Sequence, residues 1–177
     1  AYLYDIGRID TLLIIAPKGA YRNWHINEIP AHLPDHVIYR YAIWSASPRK
    51  KEKKYLDDIV RAGDELRIVI MNIEAFSSAR GVKWATSLLN TCRAMMVVDE
   101  STTIKNPSAK RTKAIIKLGR MAKYRRILTG EPVTRDPLDL YSQCEFLDEY
   151  HLGFSSFYTF RNRYAIMINM NLGGRSF

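Results

Sequence analysis

The 177-residue sequence predicts an α/β fold in which helices cover both faces of a mostly parallel sheet. Short apolar runs that suit buried strands alternate along the chain with longer amphipathic segments that suit helices. The first run, residues 11–16, stops at Pro17, which cannot donate a hydrogen bond to a sheet ladder. The hydrophobic content of 47% lies in the ordinary range of globular domains and allows one sizeable core.

The elements follow from these patterns in chain order. The predicted strands are residues 11–16, 36–41, 66–71, 93–98 and 125–128. The predicted helices are residues 19–29, 48–62, 82–91, 108–122, 137–147 and 155–164. Pro30 is expected to end the first helix, and Asn106-Pro107 to begin the fourth, because asparagine caps helices and proline suits the first helical position. Residues 165–177 have no clear period, so they are expected to form a loop or tail beyond one compact lobe, residues 1–164.

The net charge of +9 and the pI near 9.6 favour a polyanionic partner, since lysine and arginine neutralise phosphates and release counterions. No apolar run approaches the roughly 20 residues that span a bilayer, and the first residues lack the layout of a secretory signal. We therefore expect an intracellular protein without a membrane partner. Cys92 and Cys144 have no metal-ligand spacing with the histidines and are expected to be reduced thiols.

Two adjacent carboxylates, Asp99 and Glu100, directly follow the predicted strand 93–98. Ligands of open parallel sheets bind beyond the carboxyl ends of the strands, so both the position and the residue type indicate a functional site. The alternative is an acidic helix cap or a surface salt bridge.

Three segments in a fixed order carry a resemblance to a known family. The acid pair is followed by Ile104-Lys105-Asn106, which resembles the second motif of helicase-like ATPases of superfamily 2, and in particular of the sucrose-nonfermenting (Snf) family of DNA translocases. Residues 13–18 with Asn23-Trp24 precede this motif, and residues 127–130 with Pro132 follow it, as in the family. The resemblance implies a RecA-like, P-loop NTPase type three-layer sandwich, the N-terminal helicase lobe, over residues 1–164.

The same resemblance implies ATP and Mg²⁺ as cofactors. Asp99 would hold the metal, through water, and Glu100 would orient and deprotonate the water that attacks the γ-phosphate. Thr129 and Gly130 would lie against the nucleotide. None of the nine glycines is followed by lysine, so the P-loop that cradles the phosphates is absent from these residues. The resemblance therefore implies a fragment that lacks the P-loop segment and the second lobe, and that is inactive alone.

The resemblance also implies contacts with DNA, double-stranded in relatives. Pro17, Lys18 and Asn23 correspond to the first DNA-facing motif, where a strand-end loop can contact a phosphate backbone without reading sequence. Ser77 and Ser78 belong to the next such segment and are candidate phosphate donors. For Trp24, packing in the core is favoured over a binding role.

The sequence departs from the family at several positions. Ser101 and Thr102 occupy positions where relatives carry a small residue and then histidine, and threonine cannot carry charge at neutral pH. Glu131 replaces a usual threonine and would place a third carboxylate near the acid pair, where it could repel phosphates or recruit a cation.

Two other functions remain open. Asp99, Glu100 and Lys105 could organise a metal-activated water in a magnesium-dependent nuclease. Alternatively, Thr102 and Glu131 favour a degenerate lobe kept as a DNA-binding or protein-interaction module. An aromatic and basic cluster, residues 154–164, resembles a base-stacking platform, but its helical spacing favours an amphipathic helix that packs on the lobe.

Overall fold

The structure is a computed structural model that describes residues 1–61, 63–166, 171–172 and 175–176. Its strands are β1 (Thr11–Ala16), β2 (Tyr39–Ile43), β3 (Leu66–Asn72), β4 (Ala94–Asp99), β5 (Tyr124–Leu128), β6 (Asn171–Leu172) and β7 (Arg175–Ser176). Its α-helices are α1 (Tyr2–Asp5), α2 (Tyr21–Asn23), α3 (Ile29–His32), α4 (Lys50–Ile59), α5 (Ala79–Leu89), α6 (Lys110–Gly119), α7 (Leu140–Leu147) and α8 (Phe157–Tyr164). A π-helical turn, Trp24–Glu28, joins α2 to α3, and 3-10 turns lie at Ile73–Ser77, Ser101–Ile104 and Pro137–Asp139.

Strands β1 to β5 form one parallel sheet in the order β2-β3-β1-β4-β5. Its register aligns the carboxyl ends of the inner strands, because Ile15 of β1 lies opposite Val98 of β4. Asp99 in turn lies opposite Leu128, the last residue of β5. The segments that follow β1, β4 and β5 therefore leave the sheet at one edge.

The two faces of the sheet bury separate cores, because successive side chains of a strand point to opposite sides. Leu13 and Ile15 face a larger core to which α4, α5, α6 and α7 contribute. Ile14 faces a smaller core with Ile29 of α3. Helices thus cover both faces, and the predicted three-layer sandwich is confirmed. No helix among the described residues is long and apolar enough to cross a membrane.

The first predicted helix, residues 19–29, differs from the observed one. The helical path begins at Tyr21 and continues through Pro30 to His32. Proline does not end it because Pro30 lies in the first turn of α3, directly after the π-helical turn, where its missing N–H is tolerated.

Several other boundaries also differ; for example, β2 is observed at Tyr39–Ile43 and α5 at Ala79–Leu89. The helix predicted at residues 108–122 begins at Lys110, because the Asn106 side chain accepts the Ser108 N–H at 2.9 Å and closes a turn instead of capping the helix. Within the predicted loop 165–177, β6 and β7 pair antiparallel. Ala62, predicted as helical, lies outside the described residues.

The aromatic residues near α8 pack on the lobe, as the helical spacing predicts. Phe160 is buried, and its ring lies 5.5 Å from that of Tyr141 and 5.3 Å from that of Phe154. Tyr141 also meets Phe157 edge-on at 5.5 Å. These rings pack against one another, whereas Tyr158 and Tyr164 of α8 are exposed.

A charged cluster holds the amino edge of the sheet. Arg67 of β3 is buried and donates to the Asp10 carboxylate at 2.7 Å. Asp10 also accepts the backbone N–H of Arg93 at 3.0 Å and the hydroxyl of Thr11 at 2.8 Å. The carboxylate therefore joins the ends of β1, β3 and β4 while it neutralises a buried guanidinium.

The carboxyl edge carries a strained backbone. Glu100, the residue after β4, has φ of 48° and ψ of 58°, and it is the non-glycine residue with positive φ in the described part of the chain. This left-handed conformation crowds a side chain and costs about 1–2 kcal/mol relative to the right-handed one. Such strain persists where surrounding structure fixes it, often at functional sites.

We expect Asp10→Asn to lower the free energy of unfolding by about 3 kcal/mol, because it leaves Arg67 buried without an opposite charge. Asp58→Asn is the control, since its pair with Arg61 is largely exposed and contributes about 0–1 kcal/mol. Urea denaturation at pH 7 measures both. Equal losses in the two variants would contradict the assigned role of Asp10.

The contribution of Asp10 should also depend on pH. Partial burial raises the pKa of this carboxyl, but hydrogen bonds from Thr11 and Arg67, together with the charge of Arg67, outweigh burial and hold the pKa below its usual value of 3.8. A lowered pKa in the folded state gives stability that is present above pH 3.8 and is lost as the pH falls through the folded value. The wild type should lose more stability than Asp10→Asn below that pH in acid titrations of unfolding.

Glu100→Gly should raise the free energy of unfolding by about 0.5–1 kcal/mol, because glycine adopts a positive φ without strain, and this gain exceeds its extra unfolded-state entropy. Glu100→Gln keeps the Cβ atom and should leave stability unchanged in the same thermal denaturation. A loss of stability in the glycine variant would show that the conformation is not strained.

Candidate functional site

The acid pair lies where the sequence predicts it. Asp99 is the last residue of β4, an inner strand, and Glu100 is the first residue beyond it. One Asp99 oxygen, Oδ1, accepts the Glu100 N–H at 3.0 Å. The other, Oδ2, accepts the indole Nε1–H of Trp24 at 2.8 Å. In the described part of the chain the Glu100 carboxylate has no hydrogen-bond or ion-pair partner, and its residue is exposed.

Trp24 does more than pack. Its side chain is half-buried against the smaller core, which agrees with the packing expected from the sequence. Its bond to Asp99, across 75 residues of sequence, was not predicted. The strand order could have indicated this contact. Because β1 lies beside β4, the helix that follows β1 starts near the end of β4.

A cavity of about 250 Å³ opens beside Asp99. Its walls are Ala20, Asn23, Trp24, Glu28, Asp99 and Leu128. Thr129 and Gly130 follow Leu128 directly, at the end of β5 that lies opposite Asp99. A side-chain carbon at Gly130 would have no atom within 4 Å, so the space above this loop is open.

Glu131 does not complete an acidic cluster. Its residue is exposed and its N–H donates to the Thr129 hydroxyl at 3.3 Å. Among the residues that the structure describes, no group of three or more histidine, cysteine or acidic side chains could hold a metal ion. The expectation that Glu131 could recruit a cation together with Asp99 and Glu100 is therefore wrong, because the three carboxylates do not form such a group.

A buried polar network ties the acid pair to the loop after β5. The Ser101 hydroxyl donates to the Gln143 amide oxygen of α7 at 2.6 Å. The amide nitrogen of Gln143 donates to the carbonyls of Pro132 at 2.7 Å and Asp139 at 2.8 Å. Both Ser101 and Gln143 are buried, so the network fixes loop and acid pair relative to each other.

Lys105 forms a second tie to the same loop. Its ammonium donates to the Asp139 carboxylate at 3.2 Å and to the Thr134 hydroxyl. Burial raises the pKa of Asp139, but hydrogen bonds from Thr134, Lys105 and the Arg135 N–H outweigh it and lower this pKa. Sequence reasoning missed Asp139 and Gln143, because acidic and amide residues on an amphipathic helix give no signal of their partners.

The predicted DNA-facing residues fall into two places. Lys18 is exposed and lines a cleft of about 1310 Å³ together with Ser78. Asn23 instead borders the cavity beside Asp99 and donates to Glu28 at 2.9 Å. Pro17 offers its carbonyl to the N–H groups of Ala20 and Tyr21, both at 3.0 Å, and so shapes the turn between β1 and α2.

Ser78 has a structural task as the cap of α5. Its hydroxyl accepts the Gly81 N–H at 3.2 Å and donates to the Ala75 carbonyl at 2.8 Å. Ser77 is exposed beside it. Of these two candidate phosphate donors, Ser77 is therefore the one whose hydroxyl has no such structural bond in the described part of the chain.

Comparisons with known proteins agree with this geometry. Helicase-like transcription factor of Mus musculus is 27% identical over 142 residues, which are 79% of this chain and 13% of that protein. Protein CHROMATIN REMODELING 20 of Arabidopsis thaliana is 30% identical over an alignment that covers 93% of this chain and 12% of that protein. The chain thus spans about an eighth of the length of these relatives.

A solved structure and a family model extend the comparison. The Sulfolobus solfataricus SWI2/SNF2 ATPase core in complex with dsDNA superposes with a TM-score of 0.65 at 25% identity, over 91% of this chain and 29% of that one. Its RecA-like fold confirms the predicted fold class. The family model described as SNF2-related domain matches residues 2–174. The chain therefore belongs to the SNF2-related domain family.

Proposed function

We propose that this chain is part of an ATP-driven DNA translocase, to which it contributes the acidic wall of the nucleotide site and a DNA-facing surface. The observation that supports this most is the position of Asp99 and Glu100 at the carboxyl end of an inner parallel strand, beside a cavity of about 250 Å³. Relatives named for helicase-like and remodelling proteins, and a similar ATPase core in complex with dsDNA, support the same function.

The residues at this edge fit Mg²⁺ and a nucleotide. Each Asp99 oxygen accepts one hydrogen bond, so each keeps a lone pair for a water molecule on a hydrated cation. The open space above Gly130 leaves room for phosphate groups. Bound Mg²⁺ would neutralise phosphate charge and polarise the terminal phosphoryl group.

The two acids have separate roles in this proposal. Asp99, held by Trp24, would orient a water molecule on the metal. Glu100 is free of partners among the described residues, so its carboxylate can orient the attacking water and accept its proton. Thr129 and Gly130 contact the nucleotide from the neighbouring strand end. Because the sequence contains no Gly-Lys pair, turnover requires a P-loop, and an arginine of a second lobe, from further polypeptide.

DNA is the proposed partner at the same edge of the sheet. The exposed ammonium of Lys18, the turn at Pro17 and the hydroxyl of Ser77 can contact a phosphate backbone without reading sequence. Ser78 lines the same cleft as Lys18, whereas Asn23 would contribute from the separate cavity beside Asp99. The net charge of +9 favours such a partner. A DNA partner in turn implies an intracellular location.

The nuclease alternative loses its third residue in the structure. Lys105 forms its ion pair with Asp139 and is held by Thr134, so it does not join the acid pair. The non-enzymatic alternative, a DNA-binding or protein-interaction module, is still supported by Glu131 and Thr102. A measurement of ATP hydrolysis distinguishes this module from an ATPase.

In the full-length protein, Glu100→Gln should lower kcat of the DNA-stimulated ATPase by about 10²–10⁴-fold, because the amide cannot take a proton from the attacking water. The affinity for ATP should change little. Glu65→Gln, an exposed carboxylate next to the amino end of β3, is the matched control and should keep wild-type turnover. A wild type that binds DNA without hydrolysing ATP would instead support the non-enzymatic module.

A further inference from the structure

Trp24 is the side chain that donates to Asp99 among the described residues, and this contact suits a carboxylate that holds a metal ion through water. An indole N–H is a donor only and carries no charge. It can therefore hold a carboxylate in one orientation without neutralising it and without repelling a cation, as lysine or arginine would. The 2.8 Å bond occupies one lone pair of Oδ2 and leaves the remaining ones available.

The ring itself is held in place. Trp24 opens the π-helical turn, and its carbonyl accepts the Ile29 N–H that closes this turn. The half-buried ring packs with the smaller core, which includes Ile29. π-Helical turns are rare and often occur at functional sites, because they redirect a side chain that a regular helix would aim elsewhere. The direction of the N–H is thus set by packing.

Asp99 is consequently held from two sides. The Glu100 N–H fixes Oδ1 and the indole fixes Oδ2, and the first of these donors belongs to the strained residue after β4. Partners of this kind orient the groups around a metal ion, and their removal typically reduces metal affinity by about 10–100-fold.

We propose that Trp24 is a positioning residue whose indole N–H orients the Asp99 carboxylate for Mg²⁺ at the nucleotide site. This inference rests on the proposed function, because it needs a metal at Asp99. According to this inference, Trp24 contributes to metal binding as well as to packing.

The test measures Mn²⁺ binding to the full-length protein in the presence of ADP by electron paramagnetic resonance, so that no turnover is involved. Trp24→Phe keeps an aromatic ring and removes the N–H, and it should weaken Mn²⁺ binding about tenfold. Trp84→Phe is the matched control: Trp84 is also half-buried, on α5 against the larger core, and its substitution should leave Mn²⁺ affinity unchanged.

A double-mutant cycle separates positioning from a general structural effect. If Trp24 acts through Asp99, then Trp24→Phe should cause no further loss in an Asp99→Ala background. If Trp24→Phe unfolds the protein, the variant Trp24→β-(3-benzothienyl)alanine takes its place. This residue replaces the N–H by sulfur in a ring of nearly the same shape, and it should cause the same loss of Mn²⁺ affinity.

The outcomes are distinct. Wild-type Mn²⁺ affinity in Trp24→Phe, or an equal loss with and without Asp99, overturns the inference and leaves the proposed function intact. A wild type that neither binds Mn²⁺ with ADP nor hydrolyses ATP overturns both. A tenfold loss confined to proteins that contain Asp99 supports the inference.

Discussion

The parallel register of β1, β4 and β5 is the constraint on which the rest of the structure depends. Pairing of Ile15 with Val98, and of Asp99 with Leu128, ends three strands at one level. Successive parallel strands are joined by helices that cover the faces of the sheet. Buried apolar side chains between the strands and these helices therefore maintain the alignment. A slip of one residue would turn Asp99 to the opposite face and separate it from Trp24.

The two edges of the sheet are stabilised in different ways. At the amino edge, Asp10 pairs with the buried Arg67 and joins three strands, which makes this edge a fixed base. At the carboxyl edge, the hydrogen bonds that Gln143 makes and an ion pair between Lys105 and Asp139 hold the loops, while Glu100 remains strained and without a partner in the described residues. Strain and an unpaired acid are concentrated where chemistry is proposed, and the rigid base keeps them in place.

Much of the fold could be predicted from the sequence, because continuous apolar runs and helical periods report burial directly. The strands predicted at residues 11–16 and 93–98 agree with the observed β1 and β4 to within one residue at each end. The position of Asp99 and Glu100 also followed, since both lie immediately after such a run. The π-helical turn could not be predicted, because it reflects how Pro30 and Trp24 are accommodated in three dimensions.

Contacts between distant segments were equally hidden. The Trp24 to Asp99 bond and the Ser101 to Gln143 bond join residues 75 and 42 positions apart, and neither pair has a spacing that marks it. At Asn106 the sequence signal was ambiguous, because asparagine can either cap a helix or close a turn. In the structure its side chain closes a turn.

The central claim is that Asp99 and Glu100 face a nucleotide with its metal. A crystal structure of the full-length protein with Mg²⁺, ADP and beryllium fluoride tests it most directly. The account predicts a Mg²⁺ ion whose water ligand is hydrogen-bonded to Asp99, and a second water held by Glu100 in line with the fluoride group. A nucleotide bound elsewhere, with the acid pair in contact with neither metal nor water on the phosphate, would contradict it.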